Sequence, residues 1–129
     1  MNADLWRHAL GVHWLLDASG CANGLTLASL PALEDVLVGL CEALGLTRVS
    51  PPQLFGPNAE DGGSLMGIVL IAESHLSVHA YPTLGRLHAD LFSCAPFDPK
   101  KALAYLQNAY AFGAFEERLI QRGAGRPER

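Results

Sequence analysis

The chain has 129 residues, half of them hydrophobic and 17% charged, with a formal net charge of -4. That is one domain's worth of chain with enough apolar content for a real core, which excludes a disordered, collagen-like or coiled-coil protein. The negative balance argues against nucleic acid as the main partner. The longest unbroken apolar run, Leu65 to Ala72 with Gly67 inside it, falls far short of the ~20 residues a membrane helix needs. No charged segment followed by an apolar one opens the sequence, so no signal peptide is expected. Cys21, Cys41 and Cys94 are odd in number and form no CxxC pair, which predicts free thiols in a reducing cytoplasm. The ordinary reading of each is a small buried hydrophobe. High apolar content with few charges also suggests surface buried in an oligomer.

In chain order, His13–Asp17 reads as a strand followed by the turn pair Ser19–Gly20. Leu33, Val36, Leu37, Leu40, Ala43 and Leu44 recur at helical spacing. Ser29 suits the cap of that helix, Pro31 its first turn, Glu34 and Asp35 its positive end, and Gly45 its exit. Leu46–Val49 predicts a short strand before Pro51–Pro52, and residues 56–63 a loop. Gly67–Ala72 is the strongest strand signal in the chain. Leu76–Tyr81 and Leu87–Phe92 predict two more strands, with Gly85 in the turn between them. Asp98–Pro99 opens a second helix with Ala102, Leu103, Leu106 and Tyr110 on its apolar face. Residues 1–123 form a single predicted domain and residues 124–129 a loose polar tail. The order predicts an α+β fold: a two-layer sandwich of an antiparallel sheet with helices on one face. The other face is left to solvent or to a partner.

His75 and His79 stand four apart. On a helix they could share a metal, but an extended step of about 13 Å is too long, so no metal site is expected. His13, Asp17, Ser74, His79 and Asp90 could make a Ser-His-Asp set on paper, yet no G-x-S-x-G surrounds Ser74. Glu60 and Asp61 are ordinarily just solvated loop charges.

Ile71–Pro82 (IAESHLSVHAYP) is more specific. An apolar strand runs into Glu-Ser-His, with a second His and a Pro close behind. This resembles the cleavage motif of the prokaryotic S-adenosylmethionine decarboxylase proenzymes, a self-processing, pyruvoyl-dependent family of polyamine biosynthesis. The resemblance spans about Gly11 to Gly123. GVHWLLDASGC is similar to the family's start, and LHADLFSC followed by FDPKKALAYL to its next strand and last helix.

The resemblance implies a definite chemistry. The Ser74 hydroxyl attacks the Glu73 carbonyl and turns the amide into an ester. Elimination leaves dehydroalanine, and hydrolysis releases ammonia and leaves a pyruvoyl group as a built-in cofactor. The chain becomes residues 1–73 and 74–129. A tight turn at Glu73–Leu76 would hold the bond and fold the next strand back, bringing His79 near it to assist processing. The pyruvoyl ketone then takes the substrate amine as a Schiff base and acts as an electron sink. Cys94 matches the family's proton donor, and a hairpin turning at Pro82–Gly85 would carry it back toward Ser74. Catalysis is thus assigned to Ser74, His79 and Cys94, and processing to Glu73, Ser74, His79 and Ser64. Leu76, Thr83, Glu60 and Asp61 are expected to contact substrate. The expected partners are a small amino-acid-type substrate and a second copy, the two protomers packing sheet against sheet.

Three positions depart from the family pattern. Met66 stands where the family has a serine; Ser64, two residues earlier, would share its face and could substitute. Thr83 replaces a glutamate that grips the ribose hydroxyls, a contact threonine reproduces weakly. Glu60 falls where an aromatic stacks on adenine, and Phe55 is the nearest aromatic. S-adenosylmethionine is the family-default substrate. L-ornithine or L-arginine is an alternative, as is an uncleaved, non-catalytic partner of an active homologue.

Overall fold

The computed structural model describes residues 4–56 and 63–123. Its elements in chain order are α1 (Asp4–Arg7), β1 (Gly11–Ser19), α2 (Gly24–Leu27), α3 (Leu30–Leu44), β2 (Gln53–Phe55), β3 (Leu65–Ile71), β4 (Ser74–Tyr81), β5 (Arg86–Ser93), α4 (Pro99–Tyr110) and β6 (Ala114–Arg122). A single 3-10 turn, Pro82–Leu84, joins β4 to β5. The strands form one antiparallel sheet in the order β2-β3-β4-β5-β1-β6. The predicted loop at 56–63 and the predicted tail at 124–129 lie mainly or wholly outside the described residues.

Alternation along the strands sets the layers. Val12, Trp14 and Leu16 of β1, Leu65, Val69 and Ile71 of β3, Leu76, Val78 and Ala80 of β4, and Leu87, Ala89 and Leu91 of β5 are all buried. They meet Leu33, Leu37 and Leu40 of α3 and Ala102 and Leu106 of α4 in one core. Gly67 marks the closest approach: a Cβ there would lie 2.6 Å from Leu37 Cδ1 and 2.8 Å from Leu54 Cδ2. The opposite face carries the residues of the other parity and no helix covers it among the described residues. The two-layer α+β sandwich is therefore as expected.

The capping signals act as predicted. Ser29 Oγ accepts the Ala32 N–H at 3.0 Å, and Gly45 leaves α3 in the left-handed region at φ 70°. Asp98 Oδ1 accepts the Lys100 N–H at 3.0 Å at the start of α4. Gly85 turns the β4–β5 connection at φ 62°.

Other elements differ from the sequence reading. Leu46–Val49 is not a strand; it holds an isolated bridge between Arg48 and Ile71, and the strand forms after the prolines, at Gln53–Phe55. Proline donates no ladder hydrogen bond, so the edge strand starts past Pro52. Strand β6 carried no signal because all nine of its residues are exposed. An edge strand without a buried face shows no apolar alternation.

Candidate active site

The β3–β4 hairpin has a two-residue loop. Ile71 pairs with Ser74, leaving Ala72 and Glu73 as the turn. The turn thus lies ahead of the expected Glu73–Leu76, and Ser74 already opens β4. The register of β4 on β5, with His75 opposite Phe92, carries the end of β5 back beside it. The expected return of Cys94 toward Ser74 is therefore seen. The Cys94 N–H donates to Ser74 Oγ at 2.9 Å, and Cys94 Sγ lies 3.5 Å from the Glu73 carbonyl oxygen as donor. Glu73, Ser74 and Cys94 form one constellation around the Glu73–Ser74 peptide bond.

The turn beyond Cys94 is firmly built. Ser93 is buried, and its Oγ donates to the Ala95 carbonyl at 2.6 Å and accepts the Ala95 N–H at 3.1 Å. The Trp6 indole N–H donates to the Ser93 carbonyl at 2.9 Å. No sequence signal singled out Ser93 or Trp6. A lone Ser or Trp carries no spacing pattern, and only the fold brings residues 6 and 93 together.

The remaining predicted residues lie elsewhere. Strand β4 runs straight from Ser74 to Tyr81, so His79 sits five residues, or about 16 Å, along it. The strand folds back on β3, but extended as it is it carries His79 away, so His79 does not approach the Glu73–Ser74 bond within the protomer. It pairs instead with Met66 on one side and His88 on the other. Phe55 pairs with Met66, so Phe55, Met66, His79 and His88 form a row across the open face. Ser64 is exposed just before β3, at this same end and with the parity of Met66. Thr83 is exposed in the 3-10 turn beyond β4, more than about 20 Å along the hairpin from Ser74. The Leu76 side chain is wholly buried in the core, which leaves its backbone for a contact with substrate. Glu60 and Asp61 lie outside the described residues.

The open face is polar and apolar in alternation. His13 lies 3.1 Å from Asp90, and His88 lies 3.8 Å from Asp17. Among them stand exposed Phe55, Met66, Leu70 and Ile120. Of the other two cysteines, Cys41 is a fully buried core residue and Cys21 is half-buried against the core; burial pushes both thiols up. No group of His, Cys, Asp and Glu suited to a metal occurs among the described residues. No helix among them is long and apolar enough to cross a membrane.

Comparison with known proteins places the chain in a family. The family model described as S-adenosylmethionine decarboxylase matches residues 12–123. The S-adenosylmethionine decarboxylase proenzyme of Clostridium botulinum (strain Loch Maree / Type A3) is 32% identical over 114 residues, covering 88% of this chain and 94% of that protein. The proenzyme of Thermomicrobium roseum is 31% identical over 116 residues, covering 89% and 95% respectively. The crystal structure of the adenosylmethionine decarboxylase from Aquifex aeolicus VF5 superposes with a TM-score of 0.78 at 23% identity, covering 94% of this chain and 97% of that one. The chain belongs to the S-adenosylmethionine decarboxylase family.

Proposed function

We propose that this protein is a self-processing, pyruvoyl-dependent decarboxylase of polyamine biosynthesis acting on S-adenosylmethionine. The observation that carries the reading is the contact of Ser74 and Glu73 with Cys94 at the hairpin turn. Ser74 Oγ is one residue from the carbonyl it would attack and is held by a backbone N–H. That N–H favours negative charge developing on the oxygen. The Cys94 thiol points at the Glu73 carbonyl oxygen, where the oxyanion forms when the amide is attacked. Cleavage would leave residues 1–73 and 74–129.

The site fits a pyruvoyl group, because the residue to be converted already lies at the start of a strand with a thiol beside it. Such a group supplies a conjugated carbonyl that accepts the electrons released with carbon dioxide. Cys94 then holds a proton for the substrate's α-carbon, a thiol being able to act as a general acid. A single domain spanning 1–123 suffices for this arrangement.

A homodimer completes the reading. His79 is about 16 Å from Ser74 along its own strand, so it serves this bond from a second copy. Packing of the two open faces would cover Phe55, Met66, Leu70 and Ile120. It would also place Ser64, His79, Thr83 and Phe55 of one protomer at the Ser74 end of the other. There Phe55 offers a ring for adenine, and Thr83 a hydroxyl for the ribose. A reducing cytoplasm suits the free thiols of Cys21, Cys41 and Cys94. The test is carbon dioxide release from carboxyl-labelled S-adenosylmethionine by the purified, cleaved protein. Release abolished by borohydride reduction supports the reading, and release from L-ornithine or L-arginine alone overturns the substrate.

A further inference from the structure

We propose that Trp6 is a positioning residue for Ser74 and acts through the Ser93–Cys94 peptide group. The inference rests on the self-cleavage reading above. Two hydrogen bonds meet on this one peptide unit. Its carbonyl oxygen accepts the Trp6 Nε1–H at 2.9 Å, and its N–H donates to Ser74 Oγ at 2.9 Å. A peptide unit is planar and stiff, with its carbonyl and N–H fixed relative to one another. Gripping the carbonyl therefore aims the N–H. Hydrogen bonds in series also polarise one another, so the bond from Trp6 makes the Cys94 N–H a better donor. The N–H that steadies the nucleophile is thus oriented and strengthened from the far side of the sheet's end by an indole.

The anchor itself is rigid. Trp6 is 2% exposed, and its ring meets Phe97 edge-on with centroids 5.2 Å apart. Helix α1 has only four residues and is too short to be stable alone, so burial of Trp6 holds it in place. Ser93 Oγ closes the turn from the other side through its two bonds to Ala95. Trp6 lies ahead of the residues matched by the family model, which begin at 12. The indole of the positioning device therefore comes from chain outside that matched segment, and its peptide group from within it.

The experiment compares fresh, uncleaved native chain with three variants. Trp6→Phe keeps a ring against Phe97 but has no N–H. Replacement of Trp6 by 3-benzothienylalanine removes the N–H from a ring of nearly the same shape, and serves where Trp6→Phe does not fold. Phe97→Leu weakens the packing but leaves the indole N–H in place. The readouts are the first-order rate of cleavage, the rate of Cys94 alkylation by iodoacetamide relative to Cys21, and the melting temperature. Loss of the N–H should slow cleavage about tenfold, the scale of one hydrogen bond. It should also change relative Cys94 alkylation severalfold. Phe97→Leu should melt at least as early as the Trp6 variants yet stay within twofold of native in both rates. The proposal is overturned if the Trp6 variants match native in both, or if Phe97→Leu reproduces their defects. Should the native chain never cleave, the functional reading falls by itself, and Cys94 alkylation still decides the role of Trp6.

Discussion

Strand β4 has two ends that differ in what they hold. At the Ser74 end, Glu73, Ser74 and Cys94 stand within hydrogen-bond reach, fixed by the turn after β5. At the Tyr81 end, exposed Phe55 and Met66 form a row with half-buried His79, with Ser64 and Thr83 nearby, about 16 Å or more along the strand from Ser74. One end brings a hydroxyl, a peptide carbonyl and a thiol together. The other brings together an imidazole, a phenyl ring and a thioether. Seven residue steps along the strand separate them, which is about 23 Å. The lesson is that proximity along the sequence, five residues from Ser74 to His79, translates into separation when the segment is extended. A face-to-face pair of protomers running in opposite senses would unite the two ends twice over.

The comparison can be broken most decisively at Ser74. Ser74→Ala removes the attacking oxygen and should abolish cleavage outright, read by denaturing electrophoresis. His79→Ala should slow cleavage about a hundredfold or more, the usual scale for a lost acid–base group. Co-expression of Ser74→Ala with His79→Ala is the sharper experiment. The mixed pair contains one intact Ser74 end facing one intact His79 end, and cleavage of the His79→Ala chain should recover. Absence of recovery would mean that the two ends do not work across protomers. Cys94→Ala removes a weak donor from the Glu73 carbonyl. It should slow cleavage several-fold and reduce carbon dioxide release far more, measured on the cleaved fraction. Met66→Ser restores a hydroxyl beside His79 and should speed cleavage by about threefold if the Tyr81 end takes part in processing, on the scale of a fraction of one hydrogen bond.

The smallest effect lies away from both ends. Tyr110 is fully buried, and its hydroxyl has no partner among the described residues. Burial pushes this phenol up from its ordinary value. Folding therefore favours the neutral phenol, and stability is lost as pH rises past the unfolded value of about 10. Tyr110→Phe should leave stability at neutral pH within about 1 kcal/mol of native. It should also flatten the alkaline loss, seen in urea midpoints between pH 8 and pH 11.

Much of the scaffold was legible before the structure. Ser29, Pro31 and Gly45 framed α3, Asp98 and Pro99 opened α4, and the apolar alternation located β1, β3, β4 and β5 within a few residues. These signals are local, and local chemistry suffices to read them. Strand β6 was silent because AFEERLIQR buries neither face. The short helices α1 and α2 carry too few residues for a period. Within the candidate site, Glu73, Ser74 and Cys94 are named by the family resemblance, and the hairpin length accounts for their meeting in space. The placement of His79 was misread, because the turn was expected at Glu73–Leu76 rather than at Ala72–Glu73, which leaves β4 straight. Trp6 and Ser93 were invisible, since their meeting depends on a contact 87 residues apart in sequence.

The most direct test of the account is the intact mass of the purified, denatured protein. Two chains that part between Glu73 and Ser74, the second reacting as a ketone at its N-terminus, are the predicted result. A single full-length mass after prolonged incubation would contradict self-cleavage at the Ser74 end and, with it, the proposed enzyme.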